Sequence, residues 1–264
     1  MTIRLAQSTI GHVPDKSGPG EPTELPAILD QVAAKGYDGV EIWEPHLAQQ
    51  DLVAIRQHLD RLHLAVPLVS SYFNFTKSAE KATESLAQAH RVIDETRAIG
   101  GSAIRVFTGG DRSADASPEQ WDRCVACLQE LADAGAPDGI ELWLHTHDWN
   151  LVDTVDGCRR LLDRVARDNV GLLFKPSYFF PRYVWDLECL ADAIRGVQVT
   201  VDGADDLEQG RIDYTGIMAL LARQDHPVWY CFTWMKAGAH RAGAEAQPVL
   251  AGYRAAVLAG DAPC

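Results

Sequence analysis

The sequence predicts an α/β protein folded as a closed (β/α)8 barrel, with residues 1–264 in a single domain. Eight short apolar runs alternate with segments of helical spacing along the whole chain, which is typical of parallel α/β folds. A length of 264 residues fits eight such units with little inserted material. An open, doubly wound sheet is the alternative. It is disfavoured because no G-x-G-x-x-G loop follows the first strand.

Each strand is predicted from an apolar run short enough for a strand that is buried on both faces. The runs are Ile3–Ser8, Gly39–Trp43, Val66–Ser71, Ala103–Thr108, Ile140–His145, Val170–Phe174, Val197–Asp202 and Val228–Phe232. Apolar residues three and four positions apart predict the helices between these runs. Leu187, Leu190 and Ile194, for example, predict a helix before the seventh strand.

Several helix ends are marked by residues with known capping preferences. Ser117 followed by Pro118 predicts an N-cap with a proline in the first helical turn. Gly36, Gly100 and Gly139 stand just before strands, where glycine favours termination of the preceding helix.

The composition excludes some classes of partner. A net charge of −13 and a pI near 5.0 disfavour a nucleic-acid partner, because an acidic chain repels phosphate backbones. No apolar run approaches the roughly 18 residues of a membrane span, so no membrane partner is expected. The N-terminal residues enter a strand directly without the apolar region of a signal peptide, which predicts a cytoplasmic protein.

The cysteines are expected to be reduced core residues. In the cytoplasm thiols stay reduced, and the six cysteines are scattered along the chain. Cys124 and Cys127 have C-x-x-C spacing but lie in a predicted helix, and no second pair exists to complete a zinc site. Cys231 lies inside an apolar strand and is expected to pack there.

Functional groups of a (β/α)8 barrel lie at the carboxyl ends of its strands. In this sequence those ends carry titratable and aromatic residues that suit a small polar substrate. They are Glu41 and Trp43 at strand 2, Tyr72 and Asn74 at strand 3, Arg105 at strand 4, His145, His147 and Asp148 at strand 5, Lys175 and Tyr178 at strand 6, Asp202 at strand 7 and Trp234 at strand 8.

The end of strand 5 is the most informative of these positions. Side chains alternate along a strand, so His145 and His147 are predicted to leave on the same face. Two imidazoles on one face suit a metal pair, a pair of general bases or a substrate clamp. A polar cap in which one histidine binds backbone groups is the structural alternative.

Other strand-end residues also have structural alternatives. Arg105 lies in an apolar run and must be paired if buried, so an ion pair with Glu41 competes with substrate binding. The two tryptophans are as well suited to packing as to stacking on a sugar ring, and Asp202 could form a turn. Lys175 ends a fully apolar strand, where desolvation lowers an amine pKa and suits a base or an amine nucleophile; a buried ion pair with a glutamate or an aspartate is the structural alternative.

The order of motifs along nearly the whole chain resembles the xylose isomerase-like barrel superfamily, which includes sugar phosphate isomerases and epimerases. The resemblance is carried by six segments in the same order. They are Gly36–Glu41, Ser71–Phe75, Ile104–Gly109, Leu144–Asp148, Asn169–Leu172 and Gly210–Tyr214.

The resemblance implies a divalent metal, often manganese, held by two glutamates, an aspartate and a histidine from strands 5 to 8. In this chain His145 replaces the first glutamate and Lys175 replaces the aspartate, while His147 is retained. A histidine of the family is replaced by Tyr178, and the last glutamate falls near Phe232. Since an ammonium repels a divalent ion and phenylalanine cannot bind one, no metal cofactor is expected.

The leading hypothesis is an isomerase or epimerase, or a lyase, that moves a proton next to the carbonyl of a sugar-like keto compound. His145 would be the general base or acid, oriented by His147 and Asp148. Lys175 would stabilise the enolate in place of the metal, and Tyr178 would donate a proton. The remaining strand-end residues would bind the substrate.

Three alternatives stay open. Lys175 could form a Schiff base in an aldolase-type lyase. The barrel could bind a sugar without catalysis, or it could be an ordinary manganese or zinc enzyme with His145 and His147 as ligands. The aromatic segment Phe179–Trp185 predicts either a wall over a small-molecule substrate or a homodimer contact.

Overall fold

Eight parallel strands form a closed sheet in the computed structural model, which describes residues 3–200 and 211–260. The strands are hydrogen-bonded in chain order, and β8 pairs with β1. They are β1 (Ile3–Ser8), β2 (Gly39–Trp43), β3 (Ala65–Ser70), β4 (Ala103–Val106), β5 (Glu141–His145), β6 (Val170–Phe174), β7 (Ile194–Thr200) and β8 (Val228–Thr233). The predicted (β/α)8 barrel is therefore confirmed.

Eight α-helices alternate with the strands in the described part of the chain. They are α1 (Leu25–Ala34), α2 (Leu52–Leu62), α3 (Ala79–Ile99), α4 (Pro118–Gly135), α5 (Val155–Val165), α6 (Tyr183–Leu190), α7 (Tyr214–Leu221) and α8 (Ala239–Ala259). Short 3-10 turns cover Glu44–Leu47, Ala136–Asp138, Pro176–Tyr178 and Ala191–Ala193. None of the helices in residues 3–200 and 211–260 is long and apolar enough to cross a bilayer.

The predicted caps are present. Ser117 accepts a hydrogen bond from the backbone N–H of Gln120, whose side chain in turn accepts from the Ser117 N–H, and this reciprocal capping box begins α4. Gly36, Gly100 and Gly139 adopt φ values of 83°, 72° and 68°, a left-handed conformation that glycine adopts without a Cβ clash. Gly36 and Gly100 therefore follow the ends of α1 and α3 as predicted, whereas Gly139 ends the 3-10 turn that follows α4.

The start of β7 differs from the prediction. Ile194 was predicted on the face of a helix with Leu187 and Leu190, but α6 ends at Leu190 and Ile194 is the first residue of β7. Its seven-residue spacing from Leu187 fits a helical face, yet Ala191–Ala193 tighten into a 3-10 turn and the chain becomes extended at Ile194. Tertiary pairing with β8 from Gly196 onwards outweighs the local helical spacing here.

Contacts divide the chain into two compact units. The first comprises Met1–Pro67 and Gly196–Cys264, and the second comprises Leu68–Arg195. In the first unit, β1 pairs with β2 and β8, and the side chains of Leu5, Ile42 and Tyr230 are fully buried. Burial of such a side chain contributes about 1.5–3 kcal/mol. The prediction that residues 1–264 form one domain stays a prediction.

The second unit has its own core between β4, β5, β6 and helices α3 to α6. Its largest buried side chains are Trp121, Phe75 and Phe174. Cys124 and Cys127 are buried in α4, which confirms that they belong to a helix, and burial raises the pKa of both thiols. These thiols are therefore protonated core groups.

A polar network in the first unit links β1 to the flanking helices. Gln7 of β1 accepts a hydrogen bond from the Lys35 ammonium at 3.0 Å and donates one to the Ala239 carbonyl at 3.2 Å. Its amide also lies 3.5 Å from Nε2 of His12. Gly243 of α8 faces the same amide, and a Cβ at that position would overlap it. Only glycine therefore lets α8 pack against an ordered Gln7.

We predict that Gly243→Ala destabilises the protein by about 1–3 kcal/mol, because the new methyl displaces an amide that two hydrogen bonds hold in place. Gly252→Ala is the matched control, since a Cβ at this position on the same helix meets no atom within 4 Å. The control should be neutral or stabilising by up to about 1 kcal/mol. Urea denaturation measures both, and equal effects of the two substitutions would contradict the packing explanation.

Candidate active site

The candidate site lies in the second unit, where β4, β5 and β6 end side by side. Trp143 of β5 is in register with Arg105 of β4, and His145 is in register with Leu173 of β6. Because the strands are parallel, their carboxyl ends emerge at one edge. The loops that follow β5 and β6 are therefore neighbours.

Side-chain hydrogen bonds hold these two loops in place. The Thr146 hydroxyl accepts from the backbone N–H of Lys175 at 2.8 Å, which ties the end of β5 to the end of β6. Asn150 is fully buried and donates to the His145 carbonyl at 2.9 Å. Bonds of this kind satisfy buried backbone groups that no strand pairs, so the loops have a defined conformation.

A 3-10 turn brings Tyr178 back over the end of β5. The turn covers Pro176–Tyr178 and begins immediately after Lys175, whose carbonyl accepts from the Tyr178 N–H at 3.2 Å. Pro176 suits the first position of this turn because it has no N–H to satisfy. The Tyr178 hydroxyl lies 2.6 Å from Nε2 of His147.

His147 is held on both sides. Nδ1 lies 2.7 Å from a carboxylate oxygen of Asp148, as a close polar contact without the alignment of a good hydrogen bond. Burial lowers the pKa of His147 to about 4, and the charges of Lys175 and Arg105 add to this effect, while Asp148 opposes it. At neutral pH His147 is therefore an uncharged imidazole, and with Nδ1–H facing Asp148 its Nε2 accepts a hydrogen bond from the Tyr178 hydroxyl.

Tyr178 keeps its proton. Burial raises its pKa to about 12, and the charge of Asp148 contributes in the same direction. The Lys175 ammonium lies 3.5 Å from the phenol oxygen and 4.5 Å from the ring centroid. Asp148, His147 and Tyr178 thus form a chain of polar contacts, which we call the Asp–His–Tyr chain, with a cation beside its phenol end.

Aromatic rings surround this chain. Phe107 packs edge-on against His145, with centroids 4.8 Å apart, and stacks on Tyr72 and Trp149 at 5.1 Å and 5.7 Å. Trp149 also lies 4.2 Å from the ring of His147. Tyr72 and Trp149 are 48% and 44% exposed, so they offer aromatic faces to solvent beside a buried titratable group. Such faces suit a ligand ring.

Arg105 is a buried cation at this site. It is 2% exposed, and its guanidinium lies 5.0 Å from the Tyr72 ring and 5.2 Å from the Phe107 ring. These cation–π contacts hold the guanidinium under the aromatic surface. Arg105 and Lys175 together make the surroundings of His147 electropositive.

The structure brings together most of the predicted residues of the second unit. His145, His147, Asp148, Lys175, Tyr178, Tyr72 and Arg105 all lie in this cluster. His147 contacts Asp148 and Tyr178, while its ring centroid is 5.9 Å from that of His145. These contacts favour His147 as the base, and the role predicted for His145 stays a prediction.

The remaining predicted residues have other surroundings. The Asn74 side chain accepts from the Lys77 N–H at 2.9 Å and so closes its own loop. In the first unit Glu41 is fully buried on β2, Trp43 packs edge-on against His46, and Trp234 donates to the Ala237 carbonyl. Asp202 lies outside the described residues.

Two aromatic residues of the cluster were not predicted. Phe107 lies two positions after Arg105. Because side chains alternate along a strand, both residues leave on the same face, and a prediction that places Arg105 beside β5 also places Phe107 there. Trp149 follows Asp148 directly, but the sequence carries no signal for the way its loop folds over His147.

The described residues do not fit the metal set that the family resemblance implies. No group of three His, Cys, Asp or Glu side chains within residues 3–200 and 211–260 could hold one ion. Lys175 occupies an expected carboxylate position, and both ring nitrogens of His147 face other residues. Phe232, near which the last glutamate of the family set falls, is buried in β8.

Comparison with known proteins identifies the family. Residues 29–251 match the model of the xylose isomerase-like TIM barrel family. The chain belongs to this family. Its curated relatives include two dehydratases, and a structural neighbour is an epimerase.

Two curated relatives are dehydratases. A 3-dehydroshikimate dehydratase of Bacillus anthracis is 27% identical over 153 residues, which cover 55% of this chain and 54% of the relative. An inosose dehydratase of Glaesserella parasuis serovar 5 (strain SH0165) is 25% identical over 191 residues, which cover 67% of this chain and 62% of the relative. The chain thus spans between half and two thirds of these relatives' lengths.

A solved L-ribulose 3-epimerase has the same fold. It is 17% identical, with a TM-score of 0.81, and the match covers 98% of this chain and 97% of the epimerase. At this identity the likeness shows the fold alone.

We predict that His147 stays neutral down to about pH 4. Lys175→Met removes a cation that lowers its pKa, so the pKa should rise towards the ordinary value of about 6.5. Asp148→Asn removes the carboxylate that raises the pKa, so the pKa should fall further. Proton–nitrogen NMR of the imidazoles across a pH titration measures these values.

Lys77→Met is the control for this titration, since Lys77 is an exposed lysine of the same unit. It should leave the pKa of His147 unchanged. A wild-type pKa near 6.5, or a pKa that Lys175→Met does not move, would contradict the described electrostatics.

Proposed function

We propose that this protein is a metal-independent lyase of the dehydratase type, acting on a small polyhydroxylated keto compound. The observation that carries the proposal is the Asp–His–Tyr chain, in which neutral His147 accepts a hydrogen bond from the Tyr178 hydroxyl at 2.6 Å beside the Lys175 ammonium. A neutral base, a protonated acid and a fixed cation are the groups needed to remove a proton next to a carbonyl.

His147 is the proposed base. In the resting protein its Nε2 accepts from Tyr178, and the low pKa of His147 and the high pKa of Tyr178 keep that proton on the phenol. When a substrate carbonyl takes the Tyr178 hydrogen bond, Nε2 is released to accept the proton from the adjacent carbon. The Asp148 carboxylate, 2.7 Å from Nδ1, stabilises the imidazolium that forms.

Tyr178 and Lys175 are the proposed electrophile. Removal of the proton places negative charge on the carbonyl oxygen, and two donors that converge on one position stabilise such a charge. The Lys175 ammonium is 3.5 Å from the phenol oxygen, so both groups can reach one enolate oxygen. This fixed ammonium would do what a Lewis-acid metal does in other members of the family.

Elimination completes the reaction. The enolate re-forms the carbonyl and expels the hydroxyl group from the next carbon, while the His147 imidazolium returns its proton to that hydroxyl. One C–H bond and one C–O bond break, a C=C bond forms, and water leaves with the enzyme unchanged. The dehydratases among the relatives support elimination over epimerisation, which would start from the same enolate.

Tyr72 and Trp149 would bind the substrate ring. Both expose an aromatic face next to the Asp–His–Tyr chain, and the C–H face of a cyclic polyol packs well on such rings. Arg105, buried beneath Tyr72 and Phe107, would add positive charge where the enolate develops.

We predict that Tyr178→Phe and Lys175→Met each lower turnover at least about 100-fold while the fold survives, because each removes a donor to the enolate oxygen. Lys77→Met should retain full activity. The assay is proton NMR in D2O with 3-dehydroshikimate and an inosose as probe compounds. It follows loss of the α-proton signal and appearance of a new vinyl or aromatic signal from the C=C bond that elimination forms.

The same assay separates the alternatives. Exchange of the α-proton without a new vinyl or aromatic signal would indicate an epimerase instead. Inactivation by borohydride only in the presence of a keto compound would indicate a Lys175 Schiff base. Wild-type turnover in Tyr178→Phe would reject the mechanism.

We also predict that dialysis against a chelator leaves turnover unchanged, and that manganese or zinc does not stimulate it. The physical reason is the ammonium at a position where the family has a carboxylate ligand. Elemental analysis before and after dialysis provides the control. Stoichiometric metal that survives washing, with activity lost on its removal, would overturn metal independence.

A further inference from the structure

A pocket of about 370 Å³ lies between the start of α5 and the segment that leads from β6 into α6. It belongs entirely to the second unit, and it is large enough for a small organic molecule. Three aspartates, Asp153, Asp156 and Asp186, are among its described lining residues, and Arg182 is the one cation among them. The pocket is therefore net negative.

Asp186 is the most informative of these carboxylates. The residue is 7% exposed, and burial raises the pKa of its carboxyl group. Its carboxylate accepts no hydrogen bond from the described part of the chain, and its ion pair with Arg182 is long, at 3.8 Å. With only this long ion pair in the described part of the chain, the carboxylate has room for a closer cation from a ligand in the pocket.

The aromatic wall of the pocket favours cations. Trp185 is 53% exposed, and the Arg182 guanidinium lies 4.7 Å from its ring centroid. The rings of Tyr178 and Phe180 line the same pocket. The Arg182 guanidinium thus already occupies one face of the Trp185 ring. The same guanidinium pairs only loosely with the Asp186 carboxylate. Aromatic faces combined with carboxylates are the usual surroundings of bound organic ammonium groups.

We propose that this pocket binds the protonated amine of a small organic cation. The ammonium group would pair with Asp186, and its carbon skeleton would pack on Trp185 and Phe180. A divalent ion is not the expected occupant, because the described carboxylates do not converge on one point. The proposal does not depend on the proposed reaction, although the Tyr178 ring lines this pocket while its hydroxyl contacts His147.

Calorimetric titration with three six-membered-ring compounds tests the proposal. Cyclohexylamine, cyclohexanol and cyclohexanecarboxylate share one carbon ring and differ in the charge that the pocket should recognise. We expect cyclohexylamine to bind at least about 10-fold more tightly than the alcohol, with the carboxylate weakest. Asp186→Asn and Trp185→Leu should each weaken binding of the amine about 5- to 10-fold.

Asp163→Asn is the matched control, since Asp163 is an exposed carboxylate of the same α5 helix that does not line the pocket. It should leave binding unchanged. If Asp186→Asn fails to fold, Asp156→Asn removes one negative charge from the same pocket at an exposed position. We expect it to weaken binding of the amine by less than Asp186→Asn would. Equal binding of the three compounds would overturn the proposal. So would an equal loss in Asp163→Asn, which would indicate diffuse attraction to a chain of net charge −13.

Discussion

The parallel pairing of β5 with β4 and β6 is the constraint on which the candidate site depends. It brings the loops after β5 and β6 together, and the hydrogen bond from the Lys175 N–H to Thr146 then fixes their relative position. Tyr178 can meet His147 only because this register holds. A slip of one residue in β5 would turn its side chains to the opposite faces of the sheet and separate the two groups.

Electropositive surroundings give this site its chemical character. Burial lowers the pKa of His147 most, and the charges of Lys175 and Arg105 act in the same direction. The positive charge described at this site is carried by the covalently attached side chains of Lys175 and Arg105. A fixed ammonium and a fixed guanidinium stabilise negative charge on a nearby oxygen by hydrogen bonds and Coulomb attraction.

Local sequence patterns could predict the fold but only part of the site. The bounds of β1, β2 and β6 agree with the apolar runs, because a strand buried on both faces has a strong local signature. The start of β7 was missed, since the spacing of Ile194 suits a helix as well as a strand. Alternation predicts that His145 and His147 share a face, but it cannot choose between them. His147 differs from His145 in its contact with Tyr178. This contact is tertiary, because it depends on the turn that folds Tyr178 back onto His147.

The three residues of the Asp–His–Tyr chain and the neighbouring Lys175 come from one short stretch of polypeptide. Asp148, His147, Lys175 and Tyr178 lie within residues 147–178, which run from the end of β5 through α5 and β6 to the next turn. A single exchange of this β–α–β segment between related barrels would transfer these four groups at once, with their spacing intact. Arg105 and Tyr72 come from β4 and from the loop after β3, so the recipient barrel would have to supply them.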